Sequence, residues 1–213
     1  MTQELAYILG YSLKRSIKDK SGIEILTKDY SLLQNFQVWL QQTYNYKATI
    51  TNYDKRKNLY RLYFSISELN SFLKSYGITC DTKSNWVELD KICMGSYIRA
   101  VFDTGTPQYY KGILYAIGIG AKDRKKIDKL TEYISLWGIE TPTISRRKYS
   151  DIYSVKYSSS ALSKLHTHIY KYSCMLYSGD MLESVKRFYE VDRSDKSKVS
   201  LCEEGRKAVS EFK

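Results

Sequence analysis

Apolar residues along this chain follow two alternating rhythms, one close to 3.6 residues and one of two, and the order of the rhythms occurs twice. Residues 4–14 carry apolar side chains at helical spacing. The run Lys18-Asp-Lys-Ser-Gly22 is a turn signal, and 23–26 after it reads as a strand. Asp29 stands where an N-cap opens a helix to about Thr43, with Leu33, Phe36, Val38 and Leu40 along its apolar face. Segments 47–52 and 59–65 read as strands joined by the charged turn 53–58, and 68–76 as a short helix ended by Gly77. A polar, irregular stretch, 79–91, reads as a linker. The order then returns: helix 91–102, strand or hairpin 108–120, helix 124–137, hairpin 141–158, and helices 160–170 and 179–189. A charged tail from Val191 has room for one short helix, 203–212, and has no counterpart in the first half.

The two halves also match residue by residue. Lys28-Asp29 answers to Lys122-Asp123; Leu33, Phe36 and Leu40 answer to Ile127, Leu130 and Ile134; Thr49-Ile50 answers to Thr143-Ile144. From Leu59-Tyr60, which answer to Ile152-Tyr153, the offset is one shorter, so a single-residue indel falls in the second hairpin. Two copies of one unit imply a pseudo-symmetric body made of a first repeat, 1–78, the linker 79–91, a second repeat, 92–190, and the tail 191–213.

Charge narrows the partners. The chain has 213 residues and a formal net charge of +11, which favours a polyanion. Twenty-one tyrosines, many beside lysine or arginine as in Tyr53-Asp-Lys-Arg-Lys-Asn-Leu-Tyr60, suit a nucleic-acid surface and half-buried strands alike. No apolar run approaches a membrane span and the N-terminus has no signal-peptide pattern, so the expectation is a soluble intracellular protein, cytoplasmic or nucleoid-associated, with no membrane partner. Cys80, Cys93, Cys174 and Cys202 lack zinc-ligand spacing and read as reduced thiols. His166 and His168 lie two residues apart on an expected helix, about 200° around its axis, which is a poor chelate. No metal site and no cofactor are expected.

The first helix of each repeat carries a short motif. Residues 8–16 read Ile-Leu-Gly-Tyr-Ser-Leu-Lys-Arg-Ser and 98–106 read Ile-Arg-Ala-Val-Phe-Asp-Thr-Gly-Thr. With the Lys28 and Lys122 helix entries and the strand-to-helix passage from Tyr60 to Leu69, the chain resembles the LAGLIDADG homing endonucleases in their single-chain, two-repeat form, over roughly 4–190. The resemblance implies an α+β fold of duplicated αββαββα units, in which two motif helices pack along a pseudo-two-fold axis and two sheets form a β-saddle over DNA. It places Gly10 and Ala100 at the helix interface, where small residues allow close approach. In the family an acid near the end of each motif helix holds a divalent metal; the aligned positions here are Arg15 and Gly105, neither of them a metal ligand. Asp103 falls two residues earlier, where the family often has an acid without a metal role. The resemblance thus implies a member that is degenerate at its metal site.

Carried over by position, the DNA-facing candidates in the first repeat are Lys18, Lys20, Lys47, Thr49, Thr51, Lys55, Arg56, Lys57 and Arg61. In the second they are Tyr109, Lys111, Arg146, Arg147, Lys148 and Lys156. Side chains alternate across a strand, so a one-residue slip in register would exchange the groove face for the core face. The leading expectation is a non-catalytic, sequence-preferring binder of double-stranded DNA, derived from a homing endonuclease and acting in transcription or on a mobile element. It would take a major-groove site of about 20 base pairs as a monomeric pseudo-dimer. Two alternatives stay open: an RNA-binding intron maturase, and an active endonuclease with displaced metal ligands.

Overall fold

In the computed structural model, residues 1–14, 22–78, 86–110, 113–146, 151–170, 174–179 and 181–183 are described. The elements in order are α1 (Gln3–Lys14), β1 (Ile23–Thr27), α2 (Tyr30–Tyr44), β2 (Thr49–Asp54), β3 (Leu59–Phe64), α3 (Ser67–Ser75), α4 (Lys91–Asp103), β4 (Thr106–Tyr110), β5 (Ile113–Ala121), α5 (Arg124–Ser135), β6 (Ser145–Arg146), β7 (Tyr153–Ser158) and α6 (Ser159–Ile169). They form an α+β protein with antiparallel sheets.

Compactness divides the chain differently from the repeats. One unit takes Met1–Thr104 and Tyr172–Asp180, and the other takes Gly105–Lys171 and Met181–Lys213. The second motif helix, α4, therefore belongs by its contacts with the first repeat. It packs along α1, and both helices are buried nearly all round: Ala6 to Leu13 on α1 and Cys93 to Phe102 on α4. A helix with no solvated face needs partners on every side, which an amphipathic reading does not anticipate.

In the first unit the sheet order is β1-β3-β2. Ile25 pairs with Leu62 and Ile23 with Phe64; these buried residues form one face, covered by Leu32, Leu33, Phe36 and Leu40 of α2. Asp29 caps α2, accepting the Leu32 amide at 3.0 Å. Its repeat counterpart Asp123 caps α5, accepting the Lys125 amide at 3.0 Å. Gly77 ends the α3 turn at φ +70°, a conformation that suits a residue without Cβ.

In the second unit the order is β4-β5-β7-β6. Ile117 pairs with Tyr157 and Ile119 with Val155, making a buried face packed by α5 and α6. Helix α5 stops at Ser135, two residues short of the extent its periodicity predicts, and β6 is only two residues long. The expected helices 179–189 and 203–212 fall outside the described residues, apart from helical Gly179 and 181–183. No helix among the described residues is long and apolar enough to cross a membrane.

Candidate nucleic-acid interface

Each sheet has a second face, turned away from its buried one. Paired residues on neighbouring strands point to the same side, so register identifies that face. In the first unit Thr49 pairs with Tyr63, Thr51 with Arg61, Leu26 with Arg61 and Glu24 with Tyr63. Thr49 and Thr51 are exposed, and the Arg61 side chain is 37% exposed. Three of the residues named from sequence thus share one face, opposite Ile25 and Leu62. Lys47 is exposed just before β2.

The tip between β2 and β3 is a single 3-10 turn, Lys55–Lys57. Asp54 Oδ1 accepts the Arg56 amide at 3.0 Å and the Lys57 amide at 3.2 Å, and Asn58 closes the turn in the left-handed region. Lys55, Arg56 and Lys57 are all exposed; the Lys57 ammonium also lies 3.3 Å from Asp54 Oδ2. The Asx-type cap organises the backbone that carries these three cations.

In the second unit Gly118 pairs with Lys156, Gly120 with Ser154 and Ser145 with Ser154. These pairs reproduce Glu24–Tyr63, Leu26–Arg61 and Thr51–Arg61 at the repeat offsets, so the two sheets share one register. Lys156 is exposed on this face. Thr106 and Gln108 stand there too, opposite Gly118 and Ala116. A bulge on β5 leaves Tyr115 unpaired, and its hydroxyl donates to Gln108 Oε1 at 3.0 Å.

Register moves two of the residues named from sequence off this face. Tyr109, 51% exposed, pairs with the buried Leu114 and stands on the side of β4 opposite Gln108. Arg146 pairs with Tyr153, one position out of step with the face that holds Ser154 and Lys156. It makes a 2.6 Å ion pair with Asp151, whose carboxylate raises the pKa of the guanidinium further. Gln108 has no signal in the sequence, because the parity of β4 is set only by its pairing with β5. Lys18, Lys20, Lys111, Arg147, Lys148 and Arg15 lie outside the described residues.

Gly10 sits against α4: a Cβ there would lie 2.1 Å from the carbonyl oxygen of Tyr97. The point of closest approach is thus Tyr97, one turn before Ala100, which is itself fully buried. At the end of α4, Asp103 Oδ2 accepts the Tyr7 hydroxyl at 2.7 Å and the Ser178 amide at 2.8 Å. Ser178 also donates its hydroxyl to Asp29 Oδ2, and Ser31 donates to Asp29 Oδ1. The same strap, 174–179, receives Asn35 Nδ2 at the Tyr177 carbonyl, 2.9 Å, and gives the Met175 amide to Glu4 Oε1, 3.2 Å. Arg99, only 4% exposed, lies 4.9 Å beneath the Tyr177 ring.

The resemblance would place a divalent metal at the ends of the motif helices. At the α4 end the residues do not fit it: Gly105 supplies no side-chain donor, and Asp103 is committed to Tyr7 and Ser178.

No protein-family model matches the chain, and no curated protein matches it. Solved structures do. The homing endonuclease I-DmoI, in a mesophilic variant, aligns with 84% of this chain and 98% of its own at 14% identity, with a TM-score of 0.55. The LAGLIDADG meganuclease I-AabMI, bound to uncleaved DNA, aligns with 100% of this chain and 98% of its own at 14% identity, with a TM-score of 0.57. The N-terminal LAGLIDADG domain of DUF199/WhiA aligns with 79% of this chain and 84% of its own at 14% identity, with a TM-score of 0.54. Together with the duplicated register of the two sheets, these matches establish that the chain has the LAGLIDADG homing-endonuclease fold.

Proposed function

We propose that this protein is a monomeric, sequence-preferring binder of double-stranded DNA that does not cleave its site, and that it acts as a regulator of transcription or of a mobile element. The observation that carries the reading is the shared register of the two sheets. It sets Thr51, Arg61 and Tyr63 of the first sheet at positions equivalent to Ser145, Ser154 and Lys156 of the second. A β-ribbon fits the major groove, where all four base pairs differ in their donor and acceptor pattern. The cations at the Lys55–Lys57 tip are suited to phosphate, which fixes position without reading sequence. I-AabMI, with the same fold, was captured on uncleaved DNA. The non-cleaving part of the reading is supported by Gly105, which has no side-chain ligand, and by the hydrogen bonds that engage Asp103.

The test is to select random-sequence duplex DNA on the purified chain and then incubate the selected duplex with Mg²⁺. Enrichment of one site that stays intact is the expected result. Metal-dependent cutting of that site would overturn the non-catalytic part of the reading, and preferential capture of structured RNA in competition would overturn the DNA part.

A further inference from the structure

The outer face of the first sheet contains an acid that a surface built only for phosphate would avoid. Glu24 Oε1 lies 2.5 Å from Arg61 Nε, on the diagonal between neighbouring strands, and the guanidinium also lies 5.5 Å from the centre of the Tyr63 ring. Strand β3 is flanked on both sides, so Arg61 stands in the middle of the face, opposite Leu26 on one side and Thr51 on the other. Glu24 meets the guanidinium at Nε; the two Nη groups form its terminal edge. That terminal edge is a planar pair of donors matched to the O6 and N7 acceptors of guanine. A carboxylate facing a polyanion lowers general attraction. Here it holds an arginine whose long side chain would otherwise have many orientations.

The described residues of the second unit have no such arrangement at the equivalent positions. At the repeat-equivalent positions Gly118 replaces Glu24, Ser154 replaces Arg61 and Lys156 replaces Tyr63, in matching register. Resting on the DNA-binding reading above, we infer that Arg61 reads a guanine in the major groove, that Glu24 positions it, and that this contact exists in one half of the site only. The target is then an imperfect palindrome, broken at a G·C pair in the half bound by the first unit.

The experiment is a selection of random-sequence duplex DNA on the full chain and on Arg61→Lys, Arg61→Ala, Glu24→Ala and Glu24→Gln, with thermal melting to confirm that each variant folds. The wild-type site is expected to hold one guanine without a symmetry mate. Replacing that G·C pair with A·T should weaken wild-type binding about tenfold or more. Arg61→Ala should bind the two duplexes alike while keeping the rest of the site, and Arg61→Lys should keep part of the discrimination. Glu24→Ala should narrow the discrimination at that base alone. Glu24→Gln, which keeps the shape of the side chain but removes the charge that pairs with Arg61, should narrow it in the same way, whereas a merely structural role would lower the melting temperature and leave the base preference unchanged. An unchanged site for both Arg61 variants, or an equally strong guanine in both halves, would overturn the inference and leave DNA binding standing. If the wild-type chain enriches no site at all, the DNA-binding reading falls, and this inference falls with it.

Discussion

The phenol of Tyr7 on α1 donates a 2.7 Å hydrogen bond to Oδ2 of Asp103 at the end of α4. The same oxygen accepts the Ser178 amide, so one carboxylate fastens two helices and the strap 174–179. In the motif, this acid is the nearest carboxylate to the position where the family keeps its metal ligand. Here it has the role of a structural clasp.

Removing the phenol tests that role. Tyr7→Phe should lower stability by about 2 kcal/mol, the usual range for a hydrogen bond to a charged acceptor. The Tyr7 pKa is raised well above its ordinary value, first by burial and then by the Asp103 charge and hydrogen bond. A group with a raised folded pKa contributes its stability fully below its unfolded pKa, near 10, and loses it as pH rises through the folded value. The advantage of wild type over Tyr7→Phe should therefore be constant from neutral pH to about pH 9 and shrink above about pH 10. Urea unfolding of both proteins across that range checks it.

Gly10→Ala should destabilise, although alanine is the better helix former by about 1 kcal/mol. The new Cβ would meet the Tyr97 carbonyl at 2.1 Å, a backbone atom that cannot rotate away. Overpacking of this kind costs about 1–3 kcal/mol. A lower urea midpoint at unchanged m-value is the expected readout, and a midpoint equal to wild type would mean that the helices part without cost.

The two repeat-equivalent caps should differ in strength. Asp29 is buried and accepts from Ser31 and Ser178 as well as from the Leu32 amide, whereas Asp123 is exposed and caps Lys125. Asp123→Ala should cost about 1 kcal/mol, as an ordinary lost cap does. Asp29→Ala should cost about 2 kcal/mol or more, because two hydroxyls lose their acceptor together. Side-by-side denaturant titrations check the ordering.

Replacing Lys55, Arg56 and Lys57 together with alanine should weaken binding to the selected duplex and reduce its salt dependence. Each lost phosphate contact flattens the slope of log K against log salt by about 0.9, so three contacts would flatten it by about 2.7. Base preference should stay as it is. An unchanged slope would show that this tip does not reach the phosphates.

Much of the fold is legible from short range. The 3.6-residue rhythm locates α1, α2, α4 and α5; the Asp29 and Asp123 caps and the Gly77 stop lie where side-chain chemistry demands them; and the repeat offsets anticipate the shared register of the two sheets. These depend on neighbours within a few residues, or on comparing one half of the chain with the other, and both are present in a linear string. The site is legible only in part. Thr49, Thr51 and Arg61 share a face because simple alternation holds along β2 and β3 up to Asn52, whereas the pairing of Thr106 with Gly118 and Gln108 with Ala116 puts Gln108 rather than Tyr109 on the corresponding face.

What tertiary structure alone decides is which distant groups meet. Glu24 finds Arg61 across a strand pair, Asp103 finds Tyr7 and Ser178, and α4 packs with the first repeat instead of its own. Local propensity encodes none of these contacts. The last two follow from the need to cover helices buried on all sides, and the first from opposite charges brought onto one sheet face.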